Sequence, residues 1–154
     1  MRQVLSIIVA GTENVTYLRE TAEAATRAAS VLRVEAELIV AVQSSHEEVA
    51  RRALAGLPCR LLSCAAEHVA AWNNAGAAAA SGEMIFFLQE GIILTADGLK
   101  VLLENLLLDA EIAAFQLRWP PAIVLIEHAR MTAVVVDRDV LVILLENHAR
   151  AVCR

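Results

Sequence analysis

The sequence predicts an α/β protein with an open, mostly parallel sheet and helices on both faces. Short apolar runs alternate with helical segments through four successive units, and parallel neighbouring strands require such crossovers. The first run, LSIIVA at residues 5–10, is apolar at almost every position, which is typical of a strand buried on both faces. Hydrophobic residues make up 58% of the 154 residues, enough for one domain with a substantial core. Residues 1–154 are therefore predicted to form a single domain.

Strands and helices alternate in the first two thirds of the chain. The strands are predicted over residues 5–10, 37–42, 59–63 and 84–88. The helices that follow them are predicted over residues 17–32, 46–55, 66–80 and 96–108. Hydroxyl side chains that can accept a hydrogen bond from the first helical turn are expected as N-caps at Thr16, Ser45 and Thr95. Gly76 is predicted to allow close helix packing, and Gly82 to end a helix as its C-cap.

The C-terminal region has a less regular pattern. A fifth strand is predicted over residues 111–117, and the short β-branched runs at 122–126 and 132–136 are predicted to add antiparallel strands. Residues 138–150 are predicted to form a last helix, because apolar side chains recur there at helical spacing. These apolar segments also predict self-association or contact with a partner protein.

Charge and composition exclude several classes of partner. The formal net charge is −5, and the 13 Lys and Arg residues are spread along the chain, so a nucleic-acid partner is not expected. No apolar run reaches the ~18 residues that a membrane-spanning helix needs, so no transmembrane segment is expected. Three cysteines, an odd number, follow an N-terminus without a signal peptide, and this predicts a cytoplasmic location.

One combination of segments resembles a known family. The most specific part is Asn-Ala-Gly at residues 74–76, followed by an Ala-rich helix, Gly-Glu at 82–83 and an apolar strand. With SIIV at 6–9 and LTADGLKVLLENL at 94–106, it resembles the nucleotide-binding half of family-2 glycosyltransferases. The resemblance implies a Rossmann-like, A-type fold. It also divides the domain into a nucleotide-binding half, residues 1–118, and a shortened acceptor-side or interface half, residues 119–154.

The same resemblance implies where a nucleotide-sugar would bind. The implied positions, at the ends of strands and the start of a helix, are Glu13, Gln43, Asn73, Gln89, Glu90 and Gly91. Family members usually have aspartates after the second strand, an arginine before Asn-Ala-Gly and an Asp-x-Asp motif after the fourth strand. Two carboxylates one residue apart hold Mg²⁺ or Mn²⁺ against the diphosphate. Gln89 and Gly91 occupy the two acidic positions of that motif and cannot supply both carboxylates.

Two functional hypotheses follow from these departures. The first is a degenerate glycosyltransferase-like domain, without metal-dependent transferase activity and without a cofactor, that acts as a binding or assembly module and self-associates. The second is an active transferase that binds a nucleotide-sugar in an altered or metal-independent site, with Mg²⁺ or Mn²⁺ if a metal is used. In this second case Glu13, Gln43, Glu90 and Asp97 are expected near the cleft at the carboxyl ends of the strands. No catalytic residue is assigned.

Two local patterns have both a functional and a structural interpretation. Cys59, Cys64 and His68 could ligate a metal, but their spacing favours ordinary buried thiols. Asn73 and Asn74 could bind a sugar or phosphate at a helix N-terminus, or serve as capping and turn residues.

A third pattern, Ser44, Ser45 and His46, has the residue types of a nucleophile and its base. Adjacent residues in a turn do not ordinarily point at each other, and no orienting acid is evident, so catalysis by this group is not expected.

Overall fold

The computed structural model describes residues 5–11, 14–82, 84–108, 114–118, 122–126 and 140–144. The strands are β1 Leu5–Gly11, β2 Ala36–Gln43, β3 Arg60–Cys64, β4 Met84–Gln89, β5 Ala114–Arg118, β6 Ala122–Ile126 and β7 Val140–Leu144. The helices are α1 Val15–Leu32, α2 Glu47–Ala53, α3 Val69–Ala79 and α4 Ala96–Leu108, and a 3₁₀ turn, Ser44–His46, precedes α2. The predicted alternation of strands and helices through four units is confirmed.

The strands form one sheet in the order β3-β2-β1-β4-β7-β5-β6. Strands β1 to β4 are all parallel, and β1 lies between β2 and β4, so that Ile8 is opposite both Ile39 and Phe87. β7 runs antiparallel to β4 and to β5, and β6 runs antiparallel to β5. The prediction of an open, mostly parallel sheet is therefore confirmed.

The last described strand corrects a prediction. Residues 140–144 were predicted to lie within a helix over 138–150, but they form β7 between β4 and β5. The run VLVIL suits either element by hydrophobicity, and pairing on both sides satisfies its backbone in the extended form. The predicted fifth strand and the strand at 122–126 are confirmed as β5 and β6. The predicted strand at 132–136 lies outside the described residues.

The observed helix N-caps match the predicted ones only in part. The side chain of Thr95 accepts a hydrogen bond from the backbone N–H of Gly98 at 3.0 Å, as predicted for the cap of α4. For α1 the prediction of Thr16 was wrong, because Asn14 is the N-cap and its Oδ1 accepts from the N–H of Tyr17 at 3.2 Å. Asparagine caps at least as well as threonine, so the helix begins earlier.

The caps of α2 and α3 also differ from expectation. Ser45 lies inside the 3₁₀ turn and does not cap α2, which begins at Glu47 without a side-chain cap. α3 begins at Val69, where Nδ1 of His68 accepts from the backbone N–H of Ala71 at 3.2 Å. A histidine is an uncommon cap, so the sequence did not identify this helix start.

The helices cover both faces of the parallel strands. On one face, Leu5, Ile7 and Val9 of β1 belong to a fully buried cluster with residues of α1, α2 and α4. On the other face, Ile8 and Ala10 of β1 belong to clusters with residues of α3. The alternation along β1 thus buries successive side chains on opposite faces, as the unbroken apolar run predicted.

At Gly76, α3 lies very close to the sheet. A Cβ atom at this position would overlap the side chain of Ile8, well inside van der Waals contact. The predicted role of Gly76 in close helix packing is therefore confirmed.

Gly82 does not end α3 as its C-cap, since that position is Ala80 in an extended conformation. Its backbone N–H donates to Ser6 Oγ at 2.9 Å and to Glu37 Oε1 at 3.3 Å. The same Glu37 oxygen accepts from Ser6 Oγ at 2.5 Å and from the backbone N–H of Ser81 at 2.5 Å. These four residues, the Glu37 cluster, join the amino ends of β1 and β2 to the turn before β4.

The Glu37 cluster also sets the ionisation of its carboxylate. Partial burial raises the pKa of Glu37, but the hydrogen bonds from Ser6, Ser81 and Gly82 together outweigh burial and hold the pKa below the usual range of a glutamate. The folded protein therefore favours the charged form, and folding is stabilised where that form persists.

Replacing Gly76 with alanine is expected to lower the free energy of unfolding by about 1–3 kcal/mol, because the added methyl group must displace Ile8. Helix propensity alone would favour alanine by about 1 kcal/mol, so the two explanations differ in sign. Urea unfolding measures the change. In an Ile8→Ala background the same substitution should no longer destabilise, and a loss that persists there would contradict the contact.

The Glu37→Gln variant is expected to be less stable by about 1 kcal/mol at pH 7, since a half-buried carboxylate loses charge-assisted hydrogen bonds. Because the folded pKa is lowered, the difference should be complete above the unfolded pKa, near 4.5, and should shrink as pH falls through the folded pKa. Urea unfolding at several pH values measures it. Glu20→Gln, at an exposed position on α1, is the control, and an equal pH dependence in both variants would refute this role.

Candidate functional site

The carboxyl ends of β1 to β4, with the turns that follow them, form one edge of the sheet, called the carboxyl edge below. Ala10 of β1 is paired with Ala41 of β2 on one side and with Gln89 of β4 on the other. Open α/β sheets bind ligands outside this edge, because the strand ends and helix N-termini converge there. The central position of β1 brings the turns after β2 and β4 to its two sides.

Five of the six predicted nucleotide-sugar-binding residues lie in elements that reach this edge. Gln43 is the last residue of β2 and is half-buried, and Gln89 is the last residue of β4. Glu90 and Gly91 form the turn after β4, and Asn73 lies in the first half of α3. The sixth, Glu13, lies outside the described residues.

Asp97, expected near the cleft only if the chain is an active transferase, is in the first turn of α4 and is exposed. Because α4 follows β4, this first turn also lies at the carboxyl edge.

The turn after β4 is shaped around a glycine. Gly91 has φ +88°, a left-handed conformation that favours glycine. Its backbone N–H donates to Thr21 Oγ1 at 2.8 Å, and Thr21 is fully buried in α1. The backbone N–H of Glu90 donates to the carbonyl of Ala10 at 3.3 Å. The turn is thereby attached to both α1 and β1, and an acidic side chain at position 91 would strain its backbone.

The residues at the carboxyl edge do not fit the two-carboxylate metal site that the resemblance implies. Gln89 is neutral and Gly91 has no side chain, so Glu90 is the one acid among the three matching positions. Among the described residues, no group of three or more His, Cys, Asp or Glu side chains is placed to hold a metal ion.

The cysteines do not converge on His68. Cys59 precedes β3 and Cys64 ends it, so that the extended strand separates them by about 16 Å. Burial raises the pKa of both thiols, which keeps them protonated at neutral pH. Cys64 is buried and Cys59 half-buried, as expected for ordinary packed thiols.

Asn73 is a buried amide rather than a capping residue. The cap of α3 is His68, so the capping interpretation of Asn73 and Asn74 was wrong; both lie in the second turn of the helix. Asn74 is exposed, whereas Asn73 is only 4% exposed and its Oδ1 has no hydrogen-bond partner. Burying an amide oxygen without a partner is unfavourable, and most such atoms in proteins are paired.

The position of Asn73 follows from the packing at Gly76. Because α3 connects two parallel strands, it runs from the carboxyl edge back to the amino ends of the strands. Asn73 precedes Gly76 by one turn, on the same helix face and about 4.5 Å nearer the carboxyl edge. Gly76 packs against Ile8, and Ala10, the next residue of β1 on that face, is buried in a cluster with Trp72.

His46 is a second polar group whose significance the sequence did not reveal. It ends the 3₁₀ turn after β2, and its buried Nδ1 has no hydrogen-bond partner. The nucleophile-and-base pattern of Ser44 to His46 gains no support, since no described acid is hydrogen-bonded to that nitrogen. In the part of the chain that the structure describes, Asn73 Oδ1 and His46 Nδ1 are the buried side-chain atoms left unpaired, and both belong to elements at the carboxyl edge.

The described turns of the carboxyl edge are acidic. Residues 43–47, 64–68 and 89–97 contain no Lys or Arg, and their acids are Glu47, Glu67, Glu90 and Asp97. A hydrogen bond from the Ser63 hydroxyl and an ion pair with Arg51 hold the pKa of Glu47 below its usual range. These turns therefore offer no cationic side chain to offset a phosphate group.

A cavity of about 200 Å³ lies away from these residues, near the amino ends of the strands. Its lining includes Ile7, Ala29, Glu37 and Pro58. Glu37 is already held in the Glu37 cluster, and the cavity is smaller than most ligand pockets. None of the predicted site residues lines it.

The described helices include none that is long and apolar enough to cross a membrane. In sequence comparisons, the chain matches no protein-family profile and no curated protein.

Solved structures, by contrast, share its fold. Glucosyl-3-phosphoglycerate synthase from Mycobacterium tuberculosis, in complex with UDP, matches 73% of this chain and 43% of its own length, with 18% identity and a TM-score of 0.56. TarS from S. aureus matches 73% of this chain and 34% of its own length, with 15% identity and a TM-score of 0.53. A 4-diphosphocytidyl-2C-methyl-D-erythritol synthase from Anaerococcus prevotii matches 93% and 72%, with 8% identity and a TM-score of 0.58.

The chain thus spans less than half the length of the synthase and of TarS. Another structure of the synthase was solved with Mn²⁺, UDP-glucose and phosphoglyceric acid. At these identities the structural similarity establishes the fold alone. The chemistry of this chain depends on its own residues. The chain has a glycosyltransferase A-type-like fold, as the resemblance in its sequence implied.

Proposed function

We propose that this chain is a glycosyltransferase-like domain that lacks metal-dependent transferase activity and acts as a binding or assembly module. The observation that carries the proposal is the turn after β4. It has one acid, Glu90, where the resemblance implies two carboxylates, and its backbone at Gly91 is left-handed. The Thr21 hydroxyl accepts a hydrogen bond from the backbone N–H of Gly91 and thereby stabilises that conformation.

The charge that develops during transfer explains why this turn matters. When a nucleotide-sugar loses its sugar, negative charge builds on the departing diphosphate and must be offset by a metal or by cationic groups. Gln89 and Gly91 do not provide the paired carboxylates that would hold a metal, and the described turns beside them carry no Lys or Arg. The carboxyl edge lies where such sheets bind ligands, but its described turns lack the paired carboxylates or cationic side chains that transfer requires.

Assembly is the second part of the proposal. The described C-terminal strands β6 and β7 are apolar at every position, and β6 ends the strand order of the sheet. Apolar strands at one side of a sheet favour contact with another protein surface. The proposed role is therefore self-association through these strands, in the cytoplasm.

An active transferase with an altered or metal-independent site is the other candidate. It is supported by the fold and by the two unpaired polar atoms at the carboxyl edge, on Asn73 and His46. A nucleotide-sugar would then be bound near Gln43, Asn73, Gln89 and Glu90, with Mg²⁺ or Mn²⁺ if a metal is used. The two candidates differ in whether a nucleotide-sugar is turned over.

Thermal unfolding with UDP, GDP and UDP-glucose, each with Mn²⁺ or with EDTA, tests the proposal, because a ligand that binds only the folded state raises the melting temperature. We expect no shift that depends on Mn²⁺ and no metal-dependent release of UDP from UDP-glucose, with a dimer or larger species by light scattering. A Mn²⁺-dependent shift or turnover would contradict the loss of metal-dependent transfer. A monomer would contradict assembly.

The Gly91→Asp variant is expected to lose about 1–2 kcal/mol of unfolding free energy, because a side chain is strained at φ +88° although its Cβ meets no neighbour. Urea unfolding measures the loss. Gly91→Ala is the matched control, since it imposes the same backbone strain without a charge and should cost at least as much. If both variants were as stable as the parent protein, backbone strain in the turn would not explain why position 91 has no acidic residue.

A further inference from the structure

We propose that this chain forms a closed dimer in which β6 pairs antiparallel with β6 of a second copy, so that one sheet continues through both copies. The inference rests on the proposed function, in which the C-terminal strands serve assembly. It adds which strand makes the contact, how the two copies are oriented and why assembly stops at two.

The first observation is the position of β6 in the sheet. β6 pairs with β5 on one side and ends the strand order, so no described strand pairs with its other side, called the outer edge below. The outer edge of a terminal strand has backbone N–H and C=O groups that point away from the sheet. An extended strand of another chain can pair with these groups in the ladder geometry of the sheet itself.

The second observation is the sequence of β6. Its residues Ala-Ile-Val-Leu-Ile include no charge, no proline and no glycine, and three of the five are β-branched. Natural edge strands are commonly protected from pairing by a lysine, a proline or a bulge. The five residues of β6 contain neither of the two protective residue types, so this strand favours pairing at its outer edge.

The opposite edge of the described sheet, β3, differs from β6. Arg60 and Ser63 of β3 are exposed. The guanidinium of Arg60 donates to the backbone carbonyl of Ala79 at 3.2 Å, and the Ser63 hydroxyl donates to Glu47. A charged and a polar side chain thus protect β3. One open edge in each chain gives a two-fold dimer, whereas two open edges would give a filament.

The predicted strand at residues 132–136 cannot run along the outer edge of β6. β7 begins at Val140 and lies between β4 and β5, three strand positions from that edge. Three spacings between strands amount to about 14 Å, and the path would also have to rise over β6 and β5. The chain from residue 136 to Val140 spans at most about 14 Å when fully extended. The outer edge is therefore not the place of that strand, and a second copy supplies an apolar strand of matching length.

The antiparallel orientation follows from symmetry. Two identical strands related by a two-fold axis perpendicular to the sheet run in opposite directions, and each contact occurs twice. When all five residues of β6 are paired, Val124 lies at the axis, opposite Val124 of the second copy. Ile126 then lies opposite Ala122 of the second copy.

Substitution at the centre of β6 tests the contact. We expect the parent protein to be a dimer by light scattering. Val124→Lys should weaken dimerisation at least ~10-fold in sedimentation equilibrium, because the strand pair would place two like charges opposite each other. Val101→Lys, the same change at an exposed position on α4, is the matched control and should dimerise as the parent does. Equal dimerisation of the two variants would overturn the inference.

Cross-linking tests the geometry without a charged substitution and decides the case if Val124→Lys does not fold. In a chain whose three cysteines are replaced by alanine, Val124→Cys should form a disulfide between copies on mild oxidation, since opposite residues have Cα atoms about 5 Å apart. Ile126→Cys is the control, because its two copies would be about 14 Å apart, beyond the reach of a disulfide. Failure of Val124→Cys to cross-link, or equal cross-linking of both variants, would overturn the two-fold pairing.

The outcomes also distinguish this inference from the proposed function. A monomeric parent would contradict both the β6 contact and assembly, and would result if residues 145–154 paired with the outer edge. A dimer that Val124→Lys leaves intact would contradict only the β6 contact. Species larger than a dimer would contradict the closed dimer, because a second surface of each chain would then also associate.

Discussion

The contact between Gly76 of α3 and Ile8 of β1 determines how the two layers meet, and the geometry of the carboxyl edge depends on it. Since a Cβ at Gly76 would overlap Ile8, the helix lies close enough to bury the residue one turn earlier. That residue is Asn73, which is 4% exposed. A helix held farther from the sheet would leave the amide in water, where its oxygen would be hydrated. The close contact therefore creates both the packing of the core and the unpaired atom.

The two edges of the parallel strands differ in how their polar groups are satisfied. At the amino edge, Glu37 Oε1 accepts hydrogen bonds from Ser6, Ser81 and Gly82. At the carboxyl edge, Asn73 Oδ1 and His46 Nδ1 have no partner. One edge is thus stabilised by hydrogen bonds within the chain, and the other leaves two buried polar atoms without a partner. This is the edge at which open α/β sheets place their function.

The fold of this chain is shared with known enzymes, but the turn after β4 differs from the motif that the family resemblance implies. The architecture is shared with a synthase solved in complex with UDP, yet the turn after β4 has the sequence Gln89-Glu90-Gly91 and a left-handed glycine. Four parallel strands and their helices require only a suitable apolar pattern, whereas diphosphate transfer requires charges at particular positions. Substitutions at the edge can remove those charges and leave the core unchanged.

The sequence by itself determined β1 to β4, the helices between them and the close approach at Gly76, because apolar periodicity and glycine placement are local signals. Only the tertiary structure showed that residues 140–144 are a strand. An apolar run of this length can form a helix or a strand, and pairing with β4 and β5 selects the strand. It also showed that Asn73 is buried rather than capping, and that His46 Nδ1 is unpaired. Burial and hydrogen-bond satisfaction depend on residues distant in sequence, which no local pattern contains.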